Sequence, residues 1–145
     1  MANVNLRVND TTPTRLPAGP GGETRWMQVF EIDCAVTNLS SSNVYQVWDI
    51  PARTVIESVA LEVLTAEAAA DTLKIGDDDN DDGFIEAVTC GTVALTVDTG
   101  DYVDAAATKG KLYTAARIMS VTPSAAITKA KFRIYVQASQ LPAAS

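Results

Sequence analysis

Ala130-Lys131-Phe132-Arg133-Ile134-Tyr135-Val136-Gln137-Ala138-Ser139 alternates apolar and polar side chains over its whole length. A period of two marks a half-buried β-strand, because successive side chains leave opposite faces of the pleat. Phe132, Ile134, Val136 and Ala138 are therefore predicted to face a core, with Lys131, Arg133, Tyr135 and Gln137 toward solvent.

Working back from this strand, the same alternation dominates from Trp26 onward. A first strand places Phe30, Ile32, Cys34 and Val36 on one face, before the turn-rich run Asn38-Leu39-Ser40-Ser41-Ser42-Asn43. Residues 44–50 form a second strand, stopped by Pro51, and residues 54–64 a third with Val55, Val59, Leu61 and Val63 in phase. Residues 66–70 favour helix but are too few to hold one alone, so they read as a connection. Strands over 72–76, 84–89 and 92–97 follow, the last with Val93, Leu95 and Val97 sharing a face. Residues 102–110 read as a small-residue loop, and residues 111–121 as a strand broken near Thr114. The sum is about eight strands separated by turn signals, which predicts an all-β fold, a jelly-roll-like antiparallel sandwich.

Ahead of these strands, residues 1–24 carry Pro13, Pro17, Pro20 and the run Gly19-Pro20-Gly21-Gly22, which opposes regular pairing. The chain is thus predicted to divide into an extended N-terminal arm, residues 1–24, and a sandwich domain, residues 25–145. With Arg7, Arg15 and Arg25 against Asp10 and Glu23, the arm region is slightly basic. Fully extended, some 20 residues reach about 60 Å. A disordered leader is the other reading of such a segment.

The chain has 145 residues, enough for one domain, and its 47% hydrophobic content leans on Ala and Val with only 6% aromatics, so a thin core between two sheets is expected. A net charge of −7 opposes phosphate backbones and makes nucleic acid an unsuitable partner. No apolar run approaches the roughly 20 residues that span a bilayer, so no membrane partner is expected. The first residues lack the basic and apolar segments of a secretory signal, which implies folding in a cytoplasm. The spacing of Cys34 and Cys90 allows a disulfide, but a reducing compartment favours two buried thiols. There is no histidine, so imidazole zinc sites and the Cys-His and Ser-His-Asp nucleophilic systems are excluded.

The most distinctive local feature is Asp77-Asp78-Asp79-Asn80-Asp81-Asp82-Gly83-Phe84-Ile85-Glu86. From Asp78 it reads D-x-N-x-D-G-x-I-E, which is similar to the first nine positions of an EF-hand loop. Calcium is a hard cation that wants six to eight oxygens, and Asp78, Asn80, Asp82 and Glu86 are the candidate ligands. The twelfth position is Thr89 rather than a closing Glu, and the flanks read as strands. The competing reading is a solvated turn whose charges keep a sheet end soluble. Apart from this possible calcium site, no cofactor is expected. Carboxylate pairs such as Asp49 with Glu57 or Asp98 with Asp101 are what chance supplies on an acidic surface, and no Gly-rich phosphate loop opens a helix. Trp26, Tyr45, Trp48, Tyr102, Tyr113 and Tyr135 include candidates for sugar stacking, though core packing or subunit contact suits most of them better.

One order of short blocks carries a resemblance. Val44-Tyr45-Gln46-Val47-Trp48-Asp49-Ile50-Pro51-Ala52 leads to Val63-Leu64-Thr65-Ala66-Glu67, then Leu73-Lys74-Ile75-Gly76-Asp77 and Asp82-Gly83-Phe84. Gly110-Lys111-Leu112-Tyr113 and Ile134-Tyr135-Val136 continue it. Over roughly residues 26–140 this resembles the capsid decoration, cement and head-fibre-like proteins of tailed bacteriophages. The resemblance implies a jelly-roll virion protein, often trimeric and without catalysis, bound to the major capsid protein shell. It further implies a place on the capsid surface after assembly in a host cytoplasm. Arg7, Arg15 and Arg25 then become candidate contacts of a capsid-binding arm. The alternative function is a receptor- or carbohydrate-binding module of a phage fibre, and an enzyme is not expected.

Overall fold

The computed structural model describes residues 2–5, 14–15, 24–104 and 110–142. Its strands are β1 (Ala2–Asn5), β2 (Thr14–Arg15), β3 (Thr24–Asp33), β4 (Asn43–Ile50), β5 (Thr54–Thr65), β6 (Thr72–Asp77), β7 (Ile85–Thr89), β8 (Leu95–Val97), β9 (Lys111–Tyr113), β10 (Arg117–Pro123) and β11 (Lys131–Gln140). A single turn of helix, α1 (Asp101–Asp104), falls in the segment predicted as loop. One sheet runs β1-β4-β10-β6-β7 and the other β2-β3-β11-β5-β8, with β9 also on β5. Without β1 and β2, this places β4-β10-β6-β7 over β3-β11-β5-β8, and consecutive strands mostly change sheets. That is the jelly-roll plan expected from the sequence.

Strand β11 is central to its sheet. It pairs along its full length with β3, from Lys131↔Asp33 to Gln140↔Thr24, and with β5 on the other side. Phe132, Ile134, Val136 and Ala138 are all fully buried, as the alternation predicts. The residues buried around them include Trp26 and Phe30 of β3 and Trp48 of β4, whose rings meet across the sandwich at 6.4 and 6.1 Å. Offset and edge contacts of this kind add to the area term.

Several strand readings change in detail. A register shift opposite Gln137/Ala138 interrupts the alternation of β5, so Ile56 and not Val55 joins Val59, Leu61 and Val63 in the core. Val36 is 82% exposed because β3 stops at Asp33, whose carboxylate accepts the Ala35 N–H and closes a turn. The predicted strand over 92–97 shrinks to β8, and Val93, Leu95 and Val97 are exposed. The break near Thr114 separates strands on opposite sheets, β9 on β5 and β10 between β4 and β6.

Two pieces of the predicted arm pair with the body. β1 lies parallel to β4, and β2 is antiparallel to β3. The expectation of no regular pairing is corrected for these residues. They lie outside the Pro/Gly run, and the edges of β4 and β3 offer free N–H and C=O groups.

At one end of the sandwich the chain is tied by Glu67, which is 8% exposed. Its Oε2 accepts the backbone N–H groups of Thr128, Lys129 and Ala130 at 3.2, 2.8 and 3.0 Å. Cys34 and Cys90 are buried free thiols beside it, joined by backbone bonds from Cys34 to Ala130 and from Glu67 to Cys90. Burial, with nearby negative charge, pushes their pKa values up to about 12 and about 11, which leaves inert thiols. For Glu67, burial pulls the pKa upward, but the backbone N–H bonds outweigh it and hold the carboxyl below its usual 4.5. A depressed carboxyl stabilises the fold above its unfolded pKa, and that contribution is lost as pH falls through the folded value. Glu67→Gln is expected to cost about 1–3 kcal/mol at neutral pH. In urea unfolding the gap to wild type should close as the pH drops below 4.5, and a gap independent of pH would contradict this account.

Candidate interaction surfaces

The acidic loop is built from the end of β6. Leu73, Ile75 and Asp77 share the inward face of that strand, so Asp77 enters the interior and is 3% exposed. Its Oδ2 accepts the Tyr113 hydroxyl at 2.6 Å and its Oδ1 the Tyr102 hydroxyl at 3.3 Å. Oδ1 also accepts the N–H groups of Asp79 and Asn80 at 2.9 and 2.8 Å, which curls the loop back. The curl requires glycine at position 76, because a Cβ there would lie 2.0 Å from the Asn80 carbonyl oxygen. Gly83 makes the next close approach, with its Cα against the Tyr102 ring.

The remaining loop carboxylates face cations. Arg117 Nη1 and Nη2 lie 3.2 and 3.1 Å from Asp78 and Asp79, and Lys74 Nζ lies 3.6 and 3.8 Å from Asp81 and Asp82. The hydrogen bond to Asp78 and the charges of its neighbours raise the Arg117 pKa further. These side chains are partly exposed, and such pairs contribute little stability. Among the described residues, four carboxylates against two cations leave two negative charges over. The loop walls an open groove of about 440 Å³ on the outer face of the first sheet, floored by Val44, Gln46, Ile118 and Ser120. A second groove of about 280 Å³, lined by Thr72, Lys74, Asp81, Thr122 and Ser124, adjoins it at Asp81.

The opposite outer face is different. Val29, Tyr135, Ala60 and Val97 follow one another across β3, β11, β5 and β8 in a single cross-strand row. Met27, Val93, Leu95, Val97 and Leu112 on this side are 46–63% exposed. Glu31 with Lys131 and Arg133, at 3.2 and 2.7 Å, flanks the apolar row.

The four candidate calcium ligands do not converge. Asp78 faces Arg117, Asp82 faces Lys74, and Asn80 Oδ1 accepts the Asp82 N–H at 3.4 Å. Glu86 is exposed on β7, with its N–H on Thr99 Oγ1. Among the described residues no three Cys, Asp or Glu side chains are grouped to hold a metal. Of the arm arginines, Arg25 is exposed on β3, the Arg15 backbone pairs with Trp26, and Arg7 lies outside the described residues. Trp26, Tyr45, Trp48 and Tyr113 are buried and Tyr102 and Tyr135 half-buried, so these six supply core packing more than a stacking platform. Asp98 binds the Ser58 hydroxyl and the Val59 N–H, and Glu57 the Ser139 hydroxyl, so each has a structural partner. Sequence reasoning missed the inward turn of Asp77, although the alternation Leu73, Ile75, Asp77 signals it. It also missed Lys74 and Arg117 as counter-charges, which become visible only once β6 and β10 are placed side by side.

Neither a protein-family model nor a curated protein sequence matches the chain. Solved structures do match in fold. A chain in the capsid of Ralstonia phage GP4 superposes with a TM-score of 0.65 at 15% identity, covering 98% of this chain and 100% of that one. A chain of the cyanophage Pam1 capsid asymmetric unit gives 0.59 at 16% identity over 94% and 100%. A chain of the acid-stable capsid of Helicobacter pylori bacteriophage KHP30 gives 0.59 at 14% over 88% and 92%. At these identities the likeness is one of fold.

Removing the phenol that braces Asp77 tests the loop's anchor. Tyr113→Phe is expected to cost about 1–3 kcal/mol in urea unfolding, because a buried carboxylate oxygen loses its donor. Burial, followed by the Asp77 charge, pushes the Tyr102 pKa from 10.0 up to about 12 and raises that of Tyr113 as well. A raised pKa stabilises the fold below the unfolded value and is lost as pH rises through the folded one. Stability should therefore fall between pH 10.0 and about 12, and Tyr102 should stay un-ionised by ultraviolet absorbance until the upper end of that window.

Proposed function

We propose that this chain is a virion structural protein of a tailed phage, a capsid decoration or cement protein that binds the major capsid protein shell as a homotrimer. The observation that carries this reading is the whole-length fold correspondence with the GP4 capsid chain, where 98% of this chain covers 100% of that one. A correspondence without large insertions supports reading the jelly roll itself as the unit placed in a virion. The residue blocks that resemble decoration proteins point the same way.

Two physical features support association. The apolar row ends in the exposed Val97 of β8, which ends the order of its sheet and also exposes Leu95. A contiguous apolar strip at a strand edge favours contact between subunits, and a closed trimer covers three such edges at once. The arm, with Arg7 and Arg15 ahead of Arg25 on β3, adds contact area for a shell without enlarging the core. The role is structural and catalysis is no part of it.

The test is co-sedimentation with cognate shells that lack their decoration protein. Full-length chain should sediment with shells and scatter light in solution as a species near three times 15.3 kDa. Deleting residues 1–23 keeps β3 whole, so the body should still fold while shell occupancy collapses. Wild-type occupancy by the truncated chain would overturn the arm's role, and failure of the full chain to bind shells would overturn the function.

A further inference from the structure

We propose that the groove over the outer face of β10 is a docking site for an extended, positively charged polypeptide segment of the protein partner. The inference rests on the proposed function and names the surface that meets the partner. The outward positions Ile118, Ser120, Thr122 and Ser124 follow one another along and just past β10, and line two grooves that meet at Asp81. Six residue steps at the strand rise span about 20 Å, the length of an extended hexapeptide.

The chemistry of the walls selects the occupant. On one side the acidic loop holds four carboxylates, which among the described residues face Arg117 and Lys74. These surface pairs are weak, so an arriving guanidinium or ammonium shares the carboxylates at low cost. Val44 and Ile118 offer apolar surface along which the stem of an Arg or Lys can lie. A second, independent observation is Thr122, which lines the groove at 8% exposure while its Oγ1 has no hydrogen-bond partner. Buried polar atoms without partners are rare in folded proteins; this one is sealed from the groove as it stands, and only rotation about χ1 would let a docked chain reach and complete it. Rotation about χ1 exchanges the hydroxyl with the methyl group without changing the volume required.

The test uses the full-length protein and a fluorescent hexapeptide of alternating Arg and Thr, with a Glu-Thr hexapeptide as control, followed by anisotropy. Saturable binding of the basic peptide alone is expected. Gln46→Trp, which fills the groove from β4, should weaken it at least tenfold. Thr122→Val leaves every charge and the side-chain volume in place and should weaken it about threefold to tenfold. Because it removes an unpaired hydroxyl, Thr122→Val should fold at least as well as wild type, so the test survives if Gln46→Trp does not fold. Equal affinity for wild type and Thr122→Val, or binding that never saturates, would overturn the groove in favour of diffuse attraction to an acidic surface. Loss of peptide binding as the protein concentrates would make a second copy the occupant and overturn the partner assignment. Both variants are then taken into shell co-sedimentation. Reduced occupancy supports the groove as the shell contact. Unchanged occupancy alongside groove-dependent peptide binding would overturn only its use on the shell.

Discussion

The buried carboxylate of Asp77 joins three parts of the molecule that otherwise have no reason to stay together. It sits at the end of β6 in the first sheet, and Tyr113 of β9 reaches it from the second. Tyr102 reaches it from α1, and the Asp79 and Asn80 N–H groups fold the loop around it. A carboxylate taken out of water is tolerable only when its lone pairs are filled, and here both oxygens are. Satisfying Asp77 therefore specifies where the acidic loop goes. The loop lies back over Gly76, on the outer face of the first sheet, rather than projecting into solvent as a free turn.

That placement gives the two outer faces opposite characters. The first carries a polar groove with surplus negative charge, and the second an apolar row with an ion-paired border. In the role proposed above both kinds of surface have a use, because subunits would bind one another and the assembly would bind something else. Apolar contact suits the permanent association, whereas charge selects a partner and orients it during encounter. Glu67 performs the structural half of the same work at one end of the sandwich, where one carboxylate gathers the chain ahead of β11 through three N–H groups.

Much of the fold was legible because period-two alternation survives wherever a strand has one wet face. β11, β4 and β6 fall within a residue or so of their predicted limits for that reason. The misreadings share a cause. Val55 lost its place to Ile56 at a register shift, where β5 carries one residue more than β11, a mismatch that only the pairing of the two strands reveals. Val93, Leu95 and Val97 alternate correctly but lie outside the core, because alternation gives the phase of two faces and not which one is covered. The pairing of β1 and β2 was hidden by the Pro/Gly run between them and the body, although edge strands accept short partners of almost any composition.

By itself the sequence determined the all-β class, the approximate strand count, the missing histidine chemistry and the presence of an acidic turn, since each follows from residue type and local spacing. Tertiary structure alone decided what that turn does. Lys74 and Arg117 stand 43 positions apart, and only the pairing of β6 with β10 brings both to the loop's carboxylates. Local spacing carries no information about which strands become neighbours, because that is settled by the joint burial of two whole sheets. For the same reason four residues that spell most of a calcium loop are dispersed among two cations, a neighbouring N–H and a separate strand.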